Sequence, residues 1–185
     1  MSGPHPPGAA PLVWPGMWGQ AKRGPAGYQD HGDSELNVRR VAPEKCRDIM
    51  TKDPAFCQAS DTALIAAKLM REHNIGALPV VGNLHGRKLV GIVTDRDLAV
   101  KIVAAARDSS TVTLTQIMSH PVVACSPDDP YEKALELMER HQIKRVPAVD
   151  KLGRVVGMIS EADVALRVGD ARKTAELAKS LCQPS

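Results

Sequence analysis

A shift of 68 residues lays positions 49–81 of the chain on positions 117–149, with Met50 falling on Met118. Under that shift Ile49, Met50, Cys57, Asp61, Ala66, Leu69, Met70, His73, Ile75, Pro79 and Val81 each meet their own kind. Beyond Val81 the shift becomes 66, with Gly91 on Gly157. The difference lies between the segments Gly82-Asn83-Leu84-His85-Gly86 and Asp150-Lys151-Leu152-Gly153, and insertions belong in turns. Duplication is a strong constraint on the fold. Whatever one copy forms the other must form too, and the two must then pack.

Each copy carries the same order of signals. A brief apolar run opens it, Ala55-Phe56-Cys57 in the first and Val122-Val123-Ala124-Cys125 in the second. Capping residues follow, Ser60-Asp61 and Asp128-Asp129, with Pro130 placed for a first helical position. Ala66, Leu69, Met70 and His73 recur at i, i+3, i+4 and i+7, as do Ala134, Leu137, Met138 and His141. That spacing predicts one packed helix face. Two strands joined by a glycine-containing turn come next, over 78–81 with 88–93 and over 146–149 with 154–159. A second helix closes each copy, over 95–106 and 161–168, and residues 108–113 link the copies. The predicted fold is α/β (α+β), two β-α-β-β-α repeats. So short a unit does not easily bury both its sheet and its helices alone. The copies are therefore expected to pack sheet against sheet about a pseudo-twofold axis, leaving two equivalent clefts. Self-complementary surfaces of this kind also make a homodimer the expected assembly.

With only 3% aromatic residues, the interior must be built from Val, Ile, Leu, Ala and Met. A net charge of +3 is too small to argue for nucleic acid or a membrane surface as partner. Cys46, Cys57, Cys125 and Cys182 form no Cys-x-x-Cys pair, and this usage fits a reducing cytoplasm, the expected location. No apolar run approaches the roughly 20 residues of a membrane span, and no basic start leads into an apolar stretch. Residues 1–40 are dense in Pro and Gly without a period, and are expected to be a disordered tail. They hold Trp14, Trp18 and Tyr28, so the tail reads either as a short docking segment or as a plain extension. Residues 41–108 make the first repeat, 109–169 the second, and 170–185 a helical extension with Ala171, Ala175, Ala178 and Leu181 at helical spacing.

The chemistry concentrates at one corner of each copy, Gly91-Ile92-Val93-Thr94-Asp95-Arg96-Asp97 and Gly157-Met158-Ile159-Ser160-Glu161-Ala162-Asp163. A strand runs into a helix, with a hydroxyl at the junction and a carboxylate three residues on. Two readings stand. The pattern is close to a capping box, which needs no ligand. It is also a ribose-binding corner: an ionised Asp can accept from both neighbouring hydroxyls, the Thr or Ser hydroxyl can serve ribose or phosphate, and the free N–H groups of the helix start favour anions. The two roles agree for the hydroxyl and compete for the carboxylate.

The β-α-β-β-α order, the Ile75–Val80 and Ile143–Ala148 turn regions and the two corners in register together resemble a tandem pair of CBS domains, a Bateman module, over roughly residues 41–168. The resemblance implies a non-catalytic module that regulates a fused or separate protein. It binds AMP, ADP or ATP, less often S-adenosylmethionine, with Mg2+ only alongside ATP. Adenine would lie against residues 55–57 with Ile75, and against residues 123–125 with Ile143. Family pattern carries Lys144 and Arg145 across to the nucleotide held by Thr94 and Asp97. Ser160 and Asp163 would then face Gly76 and Ala77, with no charge on that side. Unequal clefts are expected, the Thr94/Asp97 cleft holding phosphate more tightly. The candidate ligand-binding set is Thr94, Asp97, Lys144, Arg145, Ile75 and Cys57, with Ser160, Asp163, Ile143 and Cys125. Cys57 and Cys125 also read as small core fillers, and His73 and His141 as packing histidines, because a metal would need partners that the pattern does not show. The leading expectation is a stand-alone adenine-nucleotide sensor. The alternative is a ligand-free dimerisation scaffold. Neither nucleic acid nor membrane is an expected partner.

Overall fold

A computed structural model describes residues 43–182. The expectations for the tail at 1–40 lie outside the described residues. The chain enters through α1 (Cys46–Ile49) and β1 (Thr51–Lys52), and the first repeat continues as β2 (Cys57–Gln58), α2 (Ala63–His73), β3 (Ala77–Val81), β4 (Leu89–Thr94) and α3 (Asp95–Leu98). A 3-10 turn (Leu114–Gln116) leads into the second repeat: α4 (Tyr131–His141), β5 (Arg145–Val149), β6 (Val155–Ser160) and α5 (Glu161–Arg167). The extension forms the helix α6 (Ala171–Leu181), but it buries Leu177, while Ala171 and Ala175 of the expected stripe are exposed.

There are two sheets, ordered β2-β3-β4 and β1-β6-β5. Single bridges make them alike. Cys125 pairs in parallel with Ala148 beside β5, where β2 stands beside β3, and Ser119 pairs with Ile92 of β4, where β1 stands on β6. The expected strand over 122–125 is thus reduced to one bridge. Each sheet's last position is filled by the segment leading into the other repeat. The cores follow the same exchange. Cys46, Ile49 and Met50 are buried with Cys125, Met138, Val146 and Ile159 of the second repeat, while Leu114 and Ile117 are buried with Cys57, Met70, Leu78 and Val93 of the first. Backbone bonds agree: Cys46 N–H donates to Asp129 O at 2.9 Å, and its counterpart Leu114 N–H to Asp61 O at 2.8 Å.

The two lobes meet at the hairpin starts. Leu89 N–H donates to Gly153 O and Val155 N–H to Arg87 O, both at 3.0 Å, with Lys88 paired to Arg154 between them. Leu89 and Val155 are equivalent positions, as are Arg87 and Gly153, so these bonds straddle the pseudo-twofold axis. Gly153 needs its glycine, with φ at +75°.

Several local expectations shift. Thr62, not Ser60 or Asp61, caps α2, and Pro130 sits at the cap of α4 rather than its first turn. Asp61 and Asp129 instead accept from the amides of Gln58 and Ser126, each at 2.8 Å, closing the turn before the helix. The helix expected over 95–106 changes pitch at Ala99–Val103, where Ala104 N–H reaches back five residues to Ala99 O. His73 and His141 end their helices and are exposed, not packed; Ala66 and Met70, and Ala134 and Met138, are buried in the cores, with Leu69 and Leu137 packed against them. α6 covers the second lobe alone. Leu177 is buried there, and Lys173 donates to the Tyr131 hydroxyl at 2.6 Å while lying over its ring. Among the described residues, no helix is long and apolar enough to cross a membrane.

The crossing segments depend on two bare backbones. A Cβ on Gly157 would press on Met50 Sδ and lie 2.8 Å from its Cγ, and one on Gly91 would meet Met118 in the same way. Gly157→Ala is therefore expected to lower stability by about 1–3 kcal/mol, through overpacking. Met50→Ala should offset part of that loss in the double variant, so that chemical denaturation shows the two changes to be strongly non-additive.

Candidate functional site

Both corners form as capping boxes. Thr94 Oγ1 accepts from Asp97 N–H at 3.2 Å, and Asp97 Oδ2 accepts from the Thr94 amide at 2.9 Å and hydroxyl at 2.7 Å. Ser160 and Asp163 repeat this at 3.2, 2.9 and 2.5 Å. The cap therefore takes one carboxylate oxygen and leaves the other. Asp97 Oδ1 faces Lys101 Nζ at 2.7 Å. Asp163 Oδ1 lies 3.3 Å from Arg167 Nη2 and accepts from Thr51 Oγ1 at 3.2 Å. The two carboxylates are only 14% and 13% exposed. Burial alone would raise the Asp97 pKa, but bonds from Lys101 and Thr94 outweigh it and hold the carboxyl below its ordinary value.

A cavity of about 750 Å³ opens at the second corner. Ser160, Glu161 and Asp163 form one side. Residues 53–55 and 75–77 of the first repeat form the other, with Thr51 between, so one cavity is built from both repeats. Its size suits a small-molecule ligand. Of the candidate residues it gathers Ile75, Ser160, Asp163, Lys144 and Arg145. Thr94, Asp97, Ile143, Cys57 and Cys125 do not line it. The two cysteines are buried at 1% and 3% exposure, so their side chains fill the cores and only Pro54 and Ala55 of the first-strand region border the cavity. Burial pushes the Cys57 thiol up to about 12, with help from the Asp61 charge.

Charge is distributed differently from the expectation. Ser160 and Asp163 do face Gly76 and Ala77, yet Lys144 and Arg145 border the same cavity, so it is not uncharged. Lys144 stands 3.8 Å from Glu161. Arg145 reaches toward the first corner as well. A Cβ on Gly76 would lie 3.0 Å from Arg145 Nη2 and 2.6 Å from Asp95 Oδ2. The absence of a side chain at Gly76 is what lets the guanidinium sit between the corners. Sequence reasoning missed Thr51, His73 and Thr174 in the wall. His73 was assigned to packing, and Thr174 belongs to α6, which lies outside the repeat. A second depression, about 770 Å³, is lined by Arg47, Asp48, Lys52 and Arg167 among others, and shares Thr51 with the cavity at the second corner. Among the described residues, no three His, Cys, Asp or Glu side chains converge as a metal site would require.

The lowered Asp97 pKa fixes the sign of one acid dependence. A carboxylate depressed on folding stabilises above its unfolded pKa, near 3.9, and that contribution fades as pH falls through the lower folded value. Thermal midpoints should therefore drop as pH falls below about 4, and Asp97→Asn should flatten that drop.

Comparison with known proteins agrees with this geometry. The CBS domain family matches residues 46–104 and 114–170, one match per repeat. Hypoxic response protein 1 of Mycobacterium tuberculosis is 34% identical over 138 residues, covering 75% of this chain and 94% of that protein. The CBS domain pair of protein MJ0100, solved in complex with 5'-methylthioadenosine and S-adenosyl-L-methionine, is 33% identical with a TM-score of 0.59, over 65% of this chain and 96% of that one. A hexameric CBS-CP12 protein from bloom-forming cyanobacteria is 28% identical with a TM-score of 0.59, over 67% of this chain and 70% of that one. The duplicated order, the exchanged sheets, the paired corners and these matches carry one conclusion: the chain belongs to the CBS-domain family, as a tandem pair, a regulatory rather than a catalytic module.

Proposed function

We propose that the chain is a sensor of adenosine-based ligands, AMP, ADP or ATP, with S-adenosylmethionine the less favoured candidate and Mg2+ entering only with ATP. The observation that carries this reading is the cavity of about 750 Å³, whose wall holds the partly buried Asp163 carboxylate and the cations Lys144 and Arg145. Asp163 is suited to a ribose hydroxyl through Oδ1, in exchange for its contacts with Thr51 and Arg167, and the two cations are suited to a phosphate. Pro54, Ala55 and Ile75 offer an apolar edge for a base. The bound relative, with its two adenosine compounds, supports the ligand class. Thr94, Asp97, Ile143 and the backbone near Cys125 form the proposed second cleft, with Arg145 placed to serve both. The first cleft has a built cavity, so we assign the tighter site to Ser160 and Asp163, reversing the order expected from sequence.

Signalling follows from differential affinity: ligand favours one arrangement of the lobes or of a dimer by as much as it binds that arrangement better. Val100 and Leu166, at equivalent positions of the two repeats, are 53% and 79% exposed, which supports a homodimer formed through these helices. Transduction would end on a separate regulated protein. A second reading, the ligand-free scaffold, is favoured by the capping boxes, since each corner satisfies one carboxylate oxygen without any ligand.

Calorimetry on protein stripped of carried-over small molecules separates the two readings. A sensor gives heat with at least one of AMP, ADP, ATP or S-adenosylmethionine. Asp163→Ala should then weaken binding by about tenfold or more, the worth of a charge-assisted hydrogen bond, with a smaller effect from Asp97→Ala. Silence with all four compounds leaves the scaffold. A larger effect from Asp97→Ala restores the sequence-based order of the clefts.

A further inference from the structure

Four residues beyond each corner carboxylate stands a cation, Lys101 in the first repeat and Arg167 in the second, at matching positions. Arg167 is shared. Besides facing Asp163 Oδ1 at 3.3 Å, it donates through Nη1 to Ile49 O at 3.0 Å and to Met50 O, and through Nη2 to Thr51 Oγ1 at 3.4 Å. Lys101 does the same with a different side chain, 2.7 Å from Asp97 Oδ1 and 2.6 Å from Ile117 O. Ile49 and Ile117 are equivalent, and each opens the segment that completes the other lobe's sheet. An ordinary i,i+4 ion pair on a helix surface involves only its two partners. Here one cation joins a corner carboxylate to the segment contributed by the opposite repeat, and the arrangement occurs in both copies.

We infer that Arg167, with Lys101 as its counterpart, is a positioning residue that couples the state of the corner carboxylate to the crossing segment. The capping box has already taken Oδ2. A hydroxyl donor arriving at the cleft must use Oδ1, where it competes with Arg167 and with the Thr51 hydroxyl. Any change in that ion pair changes the hold on the Ile49 and Met50 carbonyls, and the linkage is reciprocal. The identity of the arriving donor rests on the adenosine reading, whereas the coupling belongs to the unliganded chain.

Amide hydrogen exchange on the full chain tests it, read at residues 50–53, where Met50 N–H is bonded to Cys46 O and Asp53 N–H to Val156 O. Without ligand, Arg167→Met should speed exchange there roughly tenfold, as expected for losing hydrogen bonds from a charged donor. Asp163→Asn should change exchange in the same segment severalfold, and much less when Arg167→Met is already present, where only the Thr51 hydroxyl still joins the carboxylate to the segment. Arg167→Lys, which copies the first repeat, should preserve the response. Equal effects of Asp163→Asn in both backgrounds, or none in either, would overturn the coupling. If Arg167→Met does not fold, the same cycle with Asp97→Asn and Lys101→Met, read at the Ile92 and Ser119 amides, decides. Added AMP should alter exchange at 50–53 in wild type and Arg167→Lys, and not in Arg167→Met that still binds AMP. An equal response in all three overturns the proposal. Failure of wild type to bind AMP counts against an AMP sensor, and the unliganded cycle then decides the coupling by itself.

Discussion

The structure depends on an exchange of strands between two copies of one unit. Neither copy finishes its own sheet. Met50 lies on the bare backbone of Gly157 and Met118 on that of Gly91, and in each case the methionine comes from the segment leading into the other repeat. Burial of Cys46, Ile49 and Met50 in one core, and of Leu114 and Ile117 in the other, makes the exchange part of the hydrophobic driving force and not an ornament on it. A packed lobe requires both halves of the chain. That is how two units, each too small to bury both its faces, form a stable body.

The same exchange builds the cleft. Because the chain passes from β1 in one lobe to β2 in the other, residues 53–55 are laid beside a corner that belongs to the opposite repeat. A ligand there would touch both copies at once, which is the geometric requirement for a site that reports on their relative arrangement. The corner is prepared for this by its capping box. Thr94 and Ser160 hold one oxygen of their carboxylates, so the other is fixed in direction, against Lys101 in the first corner and against Arg167 and Thr51 in the second.

Much of this was legible in the residues, because duplication lets one copy check the other. The β-α-β-β-α order, the hairpins, both corners and α6 follow from period and spacing, which are local properties. What could not be read is non-local. Ile49 and Met50 announce burial, but nothing in their spacing says that the sheet they complete ends at Met158. Arg145 reads as a cation before a proline, and only the missing side chain at Gly76 lets it lie between the corners. Lys101 and Arg167 look like solvated helix charges until the carbonyls of Ile117 and Ile49 are brought against them. The histidines show the limit of periodicity itself. Both sit at i+7 of an apolar stripe, but their helices stop there, at the left-handed Asn74 and Gln142, and the last residue of each helix stays outside the core that Met70 and Met138 enter.

One element breaks the twofold relation. Behind the second lobe α6 packs through Leu177 and Lys173, and Thr174 from its first turns enters the cavity wall; the first repeat is followed by a linker and has no such helix. The two halves of the duplicated chain are thus no longer interchangeable. Changes in this terminal helix can reshape the wall beside Ser160 and Asp163 without touching the corner at Thr94 and Asp97, so the two halves of a duplicated chain are free to diverge one at a time.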